Sequence, residues 1–155
     1  MNLRHSLHTD SIKHIDLSFY VEVRKGTSVR LVIEKMQISH RKCALIVEHG
    51  KLIGIFTAHD IPRRVTGHPD VYERPIESIM TPDPLTLDSE LKIIEAIQVM
   101  NEKPYRYMPV VTQNKDVLGT LTHYAILKFM TDHFPEDIYN LPPEPDQIAH
   151  SKAGA

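Results

Sequence analysis

The sequence predicts an α/β protein of the α+β kind, built from two β-α-β-β-α repeats packed about a pseudo-twofold axis. Three observations predict it. The apolar residues of the first half recur in the second at a fixed shift of 64 positions: Ile12 falls on Ile76, Ile15 on Ile79, Val23 on Leu87, Ile33 on Ile97, Met36 on Met100 and Val47 on Val111. One inserted residue within Thr112–Lys115 lengthens the shift to 65, which pairs Gly54 with Gly119, Thr57 with Thr122 and Ile61 with Ile126. Within each half, short apolar runs flank one stretch of helical spacing, the pattern of strands around a helix.

The elements follow in order. Residues 1–10 (MNLRHSLHTD) carry no sustained apolar pattern and are expected to be a flexible terminus. The first repeat spans residues 11–67. A short segment, Ser11–Ile15, leads to an extended piece at Val21–Val23, and Val29, Val32, Ile33 and Met36 then lie on one face of a helix. Cys43–Val47 and Leu52–Phe56 read as two strands joined by a turn at Glu48–Lys51, and Asp60–Val65 as a short helix with Pro62 in its first turn. Thr66–Arg74, with Gly67 and Pro69, reads as a connection. The second repeat, residues 75–132, retraces this plan, with Pro75–Ile79, Leu85–Leu87, a helix bearing Ile93, Ala96, Ile97 and Met100, two strands, and a last helix at Tyr124–Met130. Neither repeat alone has enough residues to bury a comfortable core, so the two are expected to pack together. Residues 134–155 form a Pro-rich tail, with Phe134–Leu141 docked and the remainder loose.

Composition narrows the function. The chain has 155 residues, 41% apolar and 25% charged, with a formal charge of −2. Such a balance gives no general attraction to nucleic acid or to an anionic membrane, and the basic residues are not gathered into one run. No apolar run is long enough to span a bilayer and no signal-type h-region opens the chain. The single Cys43, set among apolar neighbours, excludes an internal disulfide. These features lead to the expectation of a cytoplasmic protein. The ten histidines are scattered without ligand spacing, so no metal site is expected. No Ser-His-acid, Cys-His or paired-carboxylate arrangement can be drawn, and no enzymatic activity is expected.

The stretch Gly54–Asp60, GIFTAHD, carries the chemistry. Thr57 and Asp60 stand where a strand turns into a helix, and helix-start N–H groups favour an anion. With Arg63 and Arg64 nearby, the turn suits a sugar phosphate. The same Thr-x-x-Asp spacing also makes a capping box in which Asp60 only starts the helix. The residues alone leave both readings open.

Two β-α-β-β-α copies, each with Gly-x-x-Thr before its last helix, resemble a tandem pair of CBS domains, also called a Bateman module. GIFTAHDIPRRV matches that family's Gly-x-x-Thr/Ser-x-x-Asp signature, and PLTLDSELKIIEAIQVMNEKPYRYMPVV its first strand, first helix and Pro-Val entry to the second strand. The first copy departs from that entry, with Ala44-Leu45-Ile46 where the second has Met108-Pro109-Val110. The resemblance implies a regulatory module binding an adenine nucleotide, AMP or ATP, with Mg²⁺ as an optional companion. It implies that Asp60 holds the ribose hydroxyls and that Thr57 contacts ribose or phosphate, with Ile55 in the preceding strand. Lys42 and Arg106, equivalent across the repeat, would stand near the phosphates, although a solvated loop position also accounts for each. Tyr107 would pack on base or ribose or line the core, and His59 would reach a phosphate or face water. The second copy has Ala125 where Asp60 stands in the first, so one nucleotide site per chain is expected and the pseudo-symmetric site is expected to be weak or empty. An Asp placed at position 125 would then supply the missing acceptor. The family further implies a homodimer and an unidentified protein target. The alternative is a ligand-free dimeric scaffold whose Asp60 is only a cap.

Overall fold

The computed structural model describes residues 2–140. Two sheets form its frame. The first joins β1 (Val21–Arg24), β2 (Cys43–Glu48), β3 (Lys51–Thr57) and β4 (Thr81–Pro82) in that order. The second joins β5 (Leu87–Asp88), β6 (Tyr107–Val111) and β7 (Val117–Thr122). In each sheet the first pair is parallel and the second antiparallel, because a helix intervenes in one connection and a tight turn in the other. The helices are α1 (Leu3–Thr9), α2 (Val29–Ser39), α3 (Ile93–Glu102), α4 (His123–His133) and α5 (Pro135–Tyr139).

Helix α2 begins where the Ser28 side chain accepts from Leu31 N–H at 3.2 Å, and it ends at His40, whose left-handed backbone (φ 56°) turns the chain back into β2. The matching face of α3 buries Ile93, Ala96 and Met100. Each sheet thus packs on its helices around one core, and a third cluster lies between the sheets. In it Cys43, Leu45, Leu52 and Ile55 of the first sheet meet Val111 of the second.

The repeats are not independent units along the chain. Ile12 and Ile15, which open the first repeat, are buried in the core of the second. Ile76, which opens the second, is buried in the core of the first. The backbone repeats the exchange: Ile12 N–H donates to Leu91 O at 2.9 Å and Ile76 N–H to Thr27 O at 2.7 Å. Strand β4 belongs to the same crossing, which is why one sheet has four strands instead of three. Its pseudo-symmetric counterpart is reduced to Leu17, whose carbonyl accepts from Thr120 N–H at 3.0 Å. These crossings explain the paired glycines. A Cβ at Gly54 would lie 2.2 Å from Met80 Sδ, and one at Gly119 would lie 2.3 Å from Leu17 O.

Several expectations are corrected. Residues 2–10 are not a loose end. The Asn2 side chain caps α1 by accepting from His5 N–H at 2.8 Å, Lys92 Nζ donates to Thr9 O at 2.9 Å, and Leu7 packs on the second core. Seven residues are too few for helical spacing to stand out in sequence, and packing on α3 supplies what propensity does not. The connection at Thr66–Arg74 is partly core, since Val71 is buried with Val65 and Ile76. Leu85 is not in a strand: the ladder begins at Leu87, and Leu85 is half-exposed on a cleft wall. Of the tail, α5 packs against α4 and Asp137 Oδ2 accepts from Leu3 N–H at 2.9 Å. Leu141 and the expected loose residues beyond it lie outside the described residues.

Candidate functional site

Strand β3 delivers Ile55 and Thr57 to a turn, and the chain then closes one wide helical turn, Ile61–Val65. Pro62 has no N–H to give, and the turn is fastened instead by Thr66 N–H donating to Ile61 O, five residues back, at 2.9 Å. Asp60 sits at the start of this turn, 8% exposed. Its Oδ2 accepts from Thr57 N–H at 2.9 Å and from Thr57 Oγ1 at 3.4 Å. Its Oδ1 faces Arg64 Nε at 3.8 Å, a loose pairing that leaves acceptor capacity on that oxygen. Arg64 is turned mainly to Ile79 O, 2.6 Å from its Nη1.

Asp60 lines a cleft of about 570 Å³ between the repeats. One wall is the first repeat, with Ile55, Thr57, His59 and Arg63; the other comes from the second, with Asp83, Leu85, Tyr105, Arg106 and Tyr107. Six of the seven residues singled out from the sequence therefore meet in one place. The seventh does not. Lys42 lines a second cleft of about 560 Å³ with His40, Arg41, Thr122 and His123, and Arg106 and Tyr107 border both clefts. The division is not symmetric: Lys42 lines only the cleft on the Thr122 side, whereas its equivalent Arg106 reaches the Thr57 side and borders the Thr122 side as well.

The sequence reading missed the Asp83–Leu85 wall and Tyr105. The 64-residue shift carries Phe19, on the second cleft, onto Asp83, and Arg41 onto Tyr105, but these pairs share no chemistry that would have marked them. Position 125 is a further difference. Ala125 is 1% exposed within the second core, and Thr122 Oγ1 caps α4 by accepting from its N–H at 3.0 Å. It does not line the second cleft as Asp60 lines the first.

The electrostatics differ between the clefts. Asp60 and Asp83 balance Arg63 and Arg106 in the first, whereas the second holds Arg41, Lys42 and Arg106 with no carboxylate lining it among the described residues. Burial raises the Tyr107 phenol above its usual range, with the Cys43 thiol adding to the effect, so Tyr107 serves as a protonated donor. Burial pushes the Cys43 thiol up to about 12, leaving no thiolate for nucleophilic chemistry near neutral pH. Among the described residues no cluster of His, Cys, Asp or Glu is placed to hold a metal ion, and no helix is long and apolar enough to cross a membrane.

A paired-repeat fold with an inter-repeat cleft at a Gly-x-x-Thr-x-x-Asp turn defines a class of protein, and comparison with known proteins gives its family. The CBS domain family model matches twice, over residues 12–67 and 76–132, and the chain belongs to that family as a tandem CBS pair. An uncharacterized protein of Methanocaldococcus jannaschii, MJ1232, is 28% identical over 96 residues, covering 62% of this chain and 31% of its own length. Other curated relatives are likewise much longer, the chain spanning between 16% and 35% of them. Among solved structures, the CBS domain pair of protein MJ0100 in complex with 5′-methylthioadenosine and S-adenosyl-L-methionine has a TM-score of 0.67 at 22% identity, covering 77% of this chain and 98% of that one. CBSX2 in complex with AMP has a TM-score of 0.68 at 18% identity, covering 79% and 97%. At these identities the structures establish the fold.

Proposed function

We propose that the chain is a regulatory ligand-sensing module whose Asp60 cleft binds an adenine nucleotide, AMP or ATP, and which binds without transforming it. The carrying observation is the buried Asp60, held by Thr57 and still offering Oδ1 to a cleft that both repeats wall. A carboxylate so placed accepts from both vicinal hydroxyls of a ribose, and Thr57, His59, Arg63 and Arg106 supply donors for phosphate. Ile55, Leu85 and Tyr105 offer apolar surface to a base. The ligands named for MJ0100 and CBSX2 share adenosine, which supports the choice.

A ligand in this cleft touches both repeats at once, so its binding free energy acts on their mutual arrangement. We place the response in a homodimer, or a protein target, engaged through the helices: Leu31 and Ile38 on α2 and Leu127 on α4 are exposed apolar side chains among the described residues. Mg²⁺ would accompany ATP through the phosphates. A reducing, cytoplasmic setting agrees with a lone buried thiol.

One observation favours the second reading, a ligand-free scaffold: Asp60 already has a structural task in accepting from Thr57 N–H. Titration of the full chain with adenosine, AMP and ATP by calorimetry, with light scattering alongside, separates the two. Saturable AMP binding near one per chain supports the sensor, and an absence of binding at millimolar nucleotide leaves the scaffold.

A further inference from the structure

The second cleft poses a separate chemical question, because its lining matches the first in position but not in character. Three full cations meet there, Arg41, Lys42 and Arg106, on a chain whose formal charge is −2. Among the described residues none of the three makes a salt bridge within 4.0 Å. Asp16 is the carboxylate whose charge Arg41 influences, and it is committed to Ser18, accepting from its N–H at 2.9 Å and its hydroxyl at 2.6 Å. Unpaired like charges gathered on one concave surface repel each other, an arrangement that an anion relieves.

The cleft also holds one of these cations in place. The Arg41 guanidinium lies 5.0 Å over the Phe19 ring, and Phe19 in turn meets Tyr124 edge-on at 5.5 Å. This fixes an arginine at the wall with part of its ordering entropy already spent. The left-handed turn at His40 that ends α2 brings Arg41 and Lys42 to the same mouth. Helix α4, eleven residues long, starts on the opposite wall at Thr122, adding the positive end of its dipole. What the cleft lacks is equally specific: Ala125 is sealed in the core, so nothing at that turn accepts from a ribose diol.

We propose that this second cleft is a site for a compact polyphosphate anion, recognised by charge and without readout of a nucleoside. The inference is independent of what binds beside Asp60, because Lys42, Arg41 and His123 line only the second cleft. A polyphosphate presents several charges over a few ångströms, matching two cations from the α2–β2 loop of the first repeat and one from the second repeat. The same chemistry could arrive as inorganic polyphosphate or as the triphosphate end of a nucleotide, and competition tells them apart.

The test titrates the full chain with inorganic tripolyphosphate in Mg²⁺-free, low-salt buffer by calorimetry. Saturable binding near one per chain is expected. Lys42→Ala should weaken it by at least about tenfold, the loss of one charge-assisted hydrogen bond. Lys25→Ala removes the same charge from a residue that pairs with Glu48 outside both clefts, and should change affinity by less than about twofold through screened solvent. ATP should displace tripolyphosphate and adenosine should not. Absence of saturable binding at millimolar tripolyphosphate overturns the proposal. So do equal effects of the two lysine variants, or displacement by adenosine. Lys42 is exposed, so loss of fold is not expected; backbone NMR shifts in the wild type, centred on Arg41, Lys42, Arg106 and His123, provide a readout that needs no variant. A failure of adenosine and AMP to bind at all would count against the Asp60 reading and leave this one standing.

Discussion

Replacement of Asp60 by Ala separates the two tasks that its carboxylate can perform. In the unliganded chain the side chain accepts one good hydrogen bond, from Thr57 N–H at 2.9 Å, and a weak one from Thr57 Oγ1 at 3.4 Å. Losing this cap-like arrangement costs about 1 kcal/mol, near the centre of the range for cap removal. Arg64 adds little, since its Nε is 3.8 Å away and its side chain is 38% exposed. A loss of that size lowers Tm by about 3 °C in a domain of this length. Nucleotide affinity should respond far more. Two ribose hydroxyls donating to a carboxylate are each worth about 1.5–3 kcal/mol, so their loss weakens AMP binding by about a hundredfold or more. Asp60→Asn sharpens the comparison, because its amide oxygen still accepts from Thr57 N–H while the charge is gone. Its Tm should return close to wild type and its AMP affinity should not. Thermal denaturation and calorimetry on the three proteins give the answer. Unchanged AMP affinity in Asp60→Ala, together with a clear fall in Tm, would refute the ligand role and leave Asp60 as a cap.

The other predictions concern packing and protonation. Gly119→Ala should cost about 3 kcal/mol by chemical denaturation, at the upper end for overpacking, because its Cβ would meet the backbone oxygen of Leu17 at 2.3 Å; Gly54→Ala should cost about 1 kcal/mol, since it meets only the flexible Met80 side chain. Equal costs would show that the two crossings are not under the constraint described. Ala125→Asp, which the sequence alone suggests would complete a second ribose site, should instead lower Tm and leave AMP stoichiometry unchanged, because the new carboxylate enters the second core. A second AMP site in that variant would overturn this placement. Cys43 should resist alkylation in the native chain at pH 8 and react on unfolding. With its thiol raised from 9.0 to about 12, the unfolded chain loses its proton first, so Cys43 should make stability fall as pH rises from about 9 towards 12 relative to Cys43→Ala.

The sequence by itself determined the repeat, the element order and the turn that matters. Apolar phase survives because each repeat must bury the same helix face on the same sheet, and Val29, Val32 and Met36 do so just as Ile93, Ala96 and Met100 do. The Gly-x-x-Thr-x-x-Asp turn is legible because its parts lie within seven residues. Tertiary structure decided what depends on contacts between distant segments. Ile12 and Ile76 look like members of their own repeats in sequence, yet each is buried in the other's core, since a hydrophobic pattern states that a residue is buried and not against what. The helix over Leu3–Thr9 is too short to form on local propensity and exists by leaning on α3. Lys42 and Arg106 are equivalent in sequence and still differ in reach, Lys42 lining the second cleft alone and Arg106 bordering both, because the lining of each cleft is set by which segments of the two repeats meet there. The division of charge between those clefts followed only once the walls were assembled, Asp83 falling in one and Arg41 in the other.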